Sequence, residues 1–264
     1  MRLPGARMRD AERRRALPSY AVITACRNSA RTVARSVASV LNQTVAPREY
    51  IFVDGGSTDG TASILGGIMA AAATDPRGIR FELRDQGAIR GITKAWNLGL
   101  RECTADIIFI LNSDDWYEPQ CAETVLERFA ADEKLDVVAA SERTYARGSD
   151  VANGISRTRP LWLFPVAMPL VHPACFVRRR TYERFGLFDD EFEIVADYEF
   201  MFRCWRGGAR FCNLSEIIVN FELGGTANSN RAIARKEMYA AAARYVSPPA
   251  LPWLAMLLRA LTGR

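Results

Sequence analysis

From residue 19 onward the chain alternates short apolar runs with polar turns. Tyr20-Ala-Val-Ile-Thr-Ala25 is a β-prone run that stops at the polar pair Arg27-Asn28. Behind it Val33, Val37, Val40 and Leu41 recur at helical spacing, which predicts a helix. The unit then repeats, with Tyr50-Ile-Phe-Val53 as a strand, 54–60 as a turn and 61–73 as a helix. A third strand is predicted at 79–83, and a helix at 93–102 follows the loop around Asp85-Gln-Gly87. The very apolar Ile107-Ile-Phe-Ile-Leu111 is the fourth strand. Strands alternating with helices predict an α/β chain with a Rossmann-like, mostly parallel sheet covered on both faces.

Past residue 135 the pattern loosens. Val137-Val-Ala-Ala140 reads as a strand, 147–169 as a loop-rich stretch, and helices over 179–185 and 197–206 stop at Gly186 and Gly207-Gly208. Residues 1–18 carry six arginines against Asp10 and Glu12, which predicts a flexible basic arm. Residues 19–226 then form one domain, divided near 116/117, and 227–264 a C-terminal helical segment. Within that segment Leu251-Pro-Trp-Leu-Ala-Met-Leu-Leu-Arg-Ala-Leu261 is too short to span a bilayer, so it reads either as a packed helix or as an interfacial anchor.

Composition narrows the classes. With 264 residues, 49% of them apolar, the chain can bury one full core. Six scattered cysteines without a C-x-x-C pair read as reduced core thiols, and no bilayer-length apolar run or signal-like block stands at the start. A cytoplasmic protein is expected. The formal charge of +5 rests mostly on arginine and suits phosphorylated ligands or anionic lipid head groups, so contact with the inner membrane face is an expectation of the two chain ends. No nucleic-acid partner is expected.

Ligands of open α/β sheets bind beyond the carboxyl ends of the strands, and here those ends are acidic. Asp54 closes the second strand, Asp85 the third, and Asn112-Ser-Asp-Asp115 follows the fourth. Gathered carboxylates repel one another unless a cation or polar ligand groups compensate them, and oxygen-only ligands favour magnesium or manganese. The plainer readings are that Asn112-Ser-Asp-Asp115 is a turn before Pro119 and that Asp54 closes an Asx turn.

These residues resemble the inverting family 2 glycosyltransferases of the GT-A fold, over roughly 19–226. Val22-Ile-Thr-Ala-Cys-Arg-Asn28 is similar to the family's first strand, where the nucleoside pocket begins, and this brings Thr24 and Asn28 toward the donor. Val53-Asp-Gly-Gly-Ser-Thr-Asp-Gly-Thr61 matches the second-strand motif. Asp85-Gln-Gly87 and Lys94-Ala-Trp-Asn-Leu-Gly99 resemble the D-x-G and K-A-x-N-x-G segments that flank the donor. Leu111-Asn-Ser-Asp-Asp-Trp-Tyr-Glu-Pro119 resembles the metal-binding D-x-D region. The resemblance therefore implies a nucleoside-diphosphate sugar bound by Thr24, Asn28, Asp54, Asp85, Lys94 and Ser113, with a divalent manganese or magnesium on Asp114 and, second, Asp115.

Two departures stand out. Asn112 occupies the place where the metal motif often begins with aspartate, and Gly55 the place of a second aspartate that reads uracil, so the base is left open. On the acceptor side His172-Pro-Ala-Cys-Phe-Val-Arg178, Phe185-Gly-Leu-Phe-Asp189 and Ala196-Asp-Tyr-Glu-Phe200 resemble family motifs, with Asp197 at the catalytic-base position. Phe221-Glu-Leu-Gly-Gly-Thr226 resembles the glycine-bearing loop near the donor. Lys94 equally suits a solvated helix face, Asp197 a helix start, and His172 a structural role. Trp96 and Trp116 read as packing residues.

The implied function is transfer of a sugar onto a hydroxyl of a glycan or lipid-linked acceptor, in cell-surface polysaccharide or glycolipid synthesis. The alternative is a non-catalytic sugar-nucleotide-binding protein of the same fold, against which the presence of both Asp114 and Asp197 argues. A nicotinamide-dependent dehydrogenase lacks support because Cys26-Arg-Asn28, not G-x-G-x-x-G, follows the first strand.

Overall fold

A computed structural model describes residues 17–88, 91–224 and 231–246. All but the last two residues of the expected basic arm, and the apolar segment at 251–261, lie outside the described residues.

The strands predicted in the first half are present as β1 (Tyr20–Cys26), β2 (Glu49–Asp54), β3 (Arg80–Asp85) and β4 (Ile107–Ile110). Between them lie α1 (Val33–Leu41), α2 (Thr61–Ala72) and α3 (Ile92–Glu102). The second half adds β5 (Trp116–Tyr117), α4 (Cys121–Ala131), β6 (Val137–Tyr145), β7 (Ala152–Ser156), β8 (Cys175–Arg178), α5 (Arg179–Phe185), α6 (Ala196–Arg206), β9 (Phe211–Glu222) and α7 (Arg231–Ala243). One sheet runs β3-β2-β1-β4-β8-β6-β9-β5, with β7 on β6. Its β3-β2-β1-β4 half is parallel. Beyond β4, β8 is antiparallel to both neighbours, and β6 and β9 run parallel again.

Strand alternation divides the core into two layers. Ala21, Ile23, Ile51, Val53, Ile108 and Ile110 face a cluster that includes Ala95, Trp96, Leu100, Tyr198, Phe200 and Phe202. Their neighbours Tyr20, Val22, Tyr50, Phe52, Ile107 and Phe109 face Val33, Val37, Val40, Leu126 and Phe129. Ala241 and Ala242 of α7 belong to the first layer, so this helix is built into the same core as α6. The six cysteines are free thiols, all buried except the half-buried Cys212. No helix among the described residues is long and apolar enough to cross a membrane.

Gly99 lets α3 lie directly on β1. A Cβ there would come within 2.5 Å of Ile23 Cγ2, and Ile23 is fully buried. Gly99→Ala is therefore expected to destabilise: overpacking costs about 1–3 kcal/mol, against a helix-propensity gain of about 1 kcal/mol. Gly66 of α2 has open space around the corresponding atom, so Gly66→Ala should instead stabilise by about 0.5–1 kcal/mol. Urea unfolding of the two variants checks the opposite signs.

Candidate active site at the carboxyl edge of the sheet

Register places Cys26, Asp54 and Asp85 side by side at the ends of β1, β2 and β3. Asp54 first closes its own turn: Oδ2 accepts from the backbone N–H groups of Gly56 (3.1 Å) and Ser57 (2.9 Å), and Oδ1 accepts from the Ser57 hydroxyl. Asp85 is exposed and accepts from the Gly87 N–H at 2.8 Å. Asn28 has a left-handed backbone with φ 52°, and its Oδ1 accepts from the Thr58 N–H at 2.9 Å, which fastens the β1 loop to the β2 loop. Thr24 is fully buried with its hydroxyl 3.2 Å from that of Tyr50, so its side chain lies inside the layer rather than at the edge. Beside Gly55 a Cβ would meet Gln86 Oε1 at 3.3 Å, so a side chain here requires Gln86 to yield.

The turn after β4 separates its two aspartates. Asp115 is fully buried; Oδ1 accepts from the Glu222 N–H and Oδ2 from Asn112 Nδ2, both at 3.0 Å. Burial, and then the charge of Asp114, push its carboxyl well above the ordinary range. The expectation of Asp115 as a second metal ligand therefore meets a residue whose two oxygens already hold the turn to β9. Asp114, in the same turn, is half-buried where Asp115 is closed in. Burial raises its carboxyl too, with the charge of Glu222 adding to this and Arg31 and Arg147 opposing it. Ser113 is buried with its hydroxyl 2.7 Å from that of Ser29, which ties the turn to the β1 loop.

Glu222 anchors this edge, a role the sequence reading did not give it. It is 2% exposed and accepts hydrogen bonds from Arg31 and Arg35, the latter at 2.8 Å. Burial works upward on its carboxyl, but the two arginines outweigh it and hold it below the usual range. Arg35 also donates to the Asp114 carbonyl at 3.0 Å and lies 3.7 Å above the Trp116 ring, so one guanidinium fixes three parts of the turn.

A hard ion fits Asp114 and Asn112. Asp114 carries charge that a cation relieves, and among the described residues Asn112 Oδ1 is buried without a partner. Among the described residues no three His, Cys, Asp or Glu side chains form a dedicated cage. Such a donor set suits an ion that takes most of its ligands from water and substrate phosphates.

Across the sheet, antiparallel pairing of Phe109 with Phe176 sets the end of β4 beside the start of β8. Here Asp197 occupies the first turn of α6, half-buried, and its charge reaches His172 and Cys175. Burial lowers the His172 imidazole below its ordinary value, with Asp197 opposing, and the ring packs at a tilt against Trp96, 4.6 Å between centroids. The loop before α6 is pinned from two helices. Glu237 of α7 accepts from the N–H groups of Glu193 (3.0 Å), Ile194 (2.9 Å) and Val195 (3.2 Å). From α3, Asn97 exchanges two hydrogen bonds with the Phe188 backbone, and Thr93 donates to the Phe192 carbonyl. Half-buried Lys94 lies on the same helix.

The family model for glycosyl transferase family 2 matches residues 21–186. A chondroitin synthase of Escherichia coli is 34% identical over 139 residues, covering 52% of this chain and 19% of its own length. A PGL/p-HBAD biosynthesis glycosyltransferase of Mycobacterium bovis is 27% identical over 217 residues, covering 81% of each chain. The chain thus spans about a fifth of the chondroitin synthase it matches. Among solved structures, a mannosyltransferase from Pyrobaculum calidifontis in complex with GDP-Man and Mn2+ superposes with a TM-score of 0.66 at 19% identity, over 97% of this chain and 77% of that one. TarS 1-349 of S. aureus in complex with UDP-GlcNAc gives 0.63 at 16% identity, over 84% and 64%. With the expected GT-A architecture in these neighbours and the model match over more than half its length, the chain belongs to glycosyl transferase family 2.

Proposed function

We propose that this chain transfers a sugar from a nucleoside-diphosphate donor to a hydroxyl of a glycan or lipid-linked acceptor, with inversion. One observation supports the reading: β4, which leads into the Asp114 turn, pairs with β8, and the Asp197 charge reaches Cys175 at the start of β8, so elements far apart in the chain bring the two carboxylates toward one edge of the sheet. Asp114, with Asn112, would hold magnesium or manganese, which when bound neutralises charge on the leaving diphosphate. Arg31 and Arg147, whose charges reach Asp114, add cationic field for the same phosphates. Asp197 accepts the proton of the attacking hydroxyl, and a single in-line displacement inverts the anomeric carbon. Asp54, Asp85, Asn28 and Ser113 shape the donor pocket through the turns they fasten, and Lys94 faces the donor phosphates. The relatives' names support a sugar nucleotide and a glycan. We place the protein in the cytoplasm, with the two chain ends as its contact with the inner membrane face.

Thermal shift with UDP, GDP, dTDP and CDP, with and without manganese, tests the donor site. A ligand at 100 times its Kd adds about 2.7 kcal/mol, a shift of several degrees for a chain of this size. One diphosphate is expected to stand out, and only with manganese. No shift with any of the four would sink the reading.

A further inference from the structure

Glu142 is a charged residue inside a buried strand, and nothing in the scheme above uses it. It is 5% exposed. Register sets Ser156 of β7 opposite it, where its hydroxyl favours the charged carboxylate, while among the described residues Oε2 is buried without a partner. Leaving carboxylate oxygen unsatisfied away from water is costly, and native chains seldom keep such a group without a use for it. Burial pushes its carboxyl up to about 7.

Its position is specific. β6 shifts register against β9 on both sides of Ser141, between Ala139 and Ser141 and again between Ser141 and Glu142. Such irregularities re-aim side chains. Three residues earlier Ala139 pairs with Cys175 of β8. The Cys175 thiol lies within reach of the charges of both Glu142 and Asp197, and the Glu142 charge also reaches Asp115. β6 thus carries Glu142 between Ala139, which pairs with Cys175, and Tyr145, which pairs with Glu222 beside the Asp115 turn. Its cover is slight on one side, because Ser156 ends β7, an exposed strand that pairs only with β6.

We propose that Glu142 binds the acceptor, its carboxylate taking a hydrogen bond from a hydroxyl of the acceptor sugar beside Asp197. This rests on the transferase reading above. The ligand chemistry is that of a polyhydroxylated sugar, whose O–H groups supply the donor that Oε2 lacks. When the acceptor enters, its hydroxyl donates to Oε2, and the Ser156 interaction is kept. A buried unpaired carboxylate kept for binding also predicts a trade of stability for function.

The test compares wild type with Glu142→Gln, which keeps the shape and removes the charge. The readout is nucleotide release from UDP-GlcNAc and from GDP-mannose, with manganese, against p-nitrophenyl glycosides of glucose, galactose, N-acetylglucosamine and glucuronate. Hydrogen bonds to charged groups imply a rise in acceptor KM of about 10-fold or more. Nucleotide Kd should stay within about 2-fold, and melting temperature should hold or rise. An unchanged acceptor KM overturns the proposal and leaves the transferase reading standing. A lowered melting temperature together with weakened nucleotide binding shows a structural carboxylate and also overturns it. No turnover by wild type on any glycoside of the panel overturns the transferase reading, and this proposal with it.

Discussion

Asp197→Asn is expected to slow sugar transfer by about 10²–10⁴-fold, the usual contribution of a general base. Asparagine keeps the size of the side chain and much of its hydrogen bonding, but cannot take the acceptor's proton. The loop that presents the residue does not depend on its carboxylate: Glu237 holds the backbone of 193–195, and Thr93 and Asn97 hold that of 192 and 188. The variant should therefore fold with an unchanged melting temperature and bind the nucleotide as wild type does. Turnover and nucleotide affinity, measured on the same preparation, separate a base from a donor contact. Loss of affinity in step with loss of rate would reassign Asp197 to the donor site, and near-wild-type turnover would remove it from the chemistry altogether.

That expectation was legible in the sequence because the site's skeleton is local. Strands β1, β2 and β4 are buried on both faces and so read as short apolar runs, and each motif follows its strand directly. Much of the rest was hidden by mixed burial. β9 alternates exposed and buried positions around Asn213, Ser215 and Glu216, β7 is almost wholly exposed, and β8 is only four residues long, so none carries a clean period. The β6 strand, expected at 137–140, continues to Tyr145 through polar residues that pair with β9.

The site followed the same rule. Asp114 and Asp115 are adjacent and chemically identical in the sequence; only the turn decides that one stays half-buried while the other is closed in by Asn112 and Glu222. Asp54 closes the turn of its plainer reading, and a carboxylate that shapes a donor pocket would occupy the same position, so the sequence does not tell the two apart. Glu222 and Glu237 hold the site from residues more than a hundred positions or some forty positions away, a tertiary relation that no spacing encodes. Glu142 did leave a trace, an acid two residues past Val137-Val-Ala-Ala140, where a buried strand has no ordinary place for charge.

Asp114→Ala should separate the donor-binding role of this edge from its structural one. The turn is held from outside the Asp114 side chain: Arg35 bonds the main-chain carbonyl, Asp115 bonds β9, and Ser113 bonds Ser29. The Asp114 carboxylate is itself held above its ordinary titration range by burial and by Glu222, so removing it relieves an electrostatic cost. Melting temperature is therefore expected to hold or rise. Nucleoside-diphosphate affinity should fall, because the cation that would bridge protein and phosphates loses the half-buried carboxylate proposed to hold it. Loss of an outer partner of a metal site costs about 10–100-fold in metal affinity, which sets the least effect expected for a ligand itself. Calorimetry of nucleotide binding with manganese and then with EDTA reads the difference. In wild type the manganese titration should be the tighter of the two, and in the variant the two should converge. Wild-type affinity in the variant with manganese present would take the ion away from Asp114, whereas an equal loss in both titrations would make the carboxylate a direct contact of the nucleotide rather than its metal ligand.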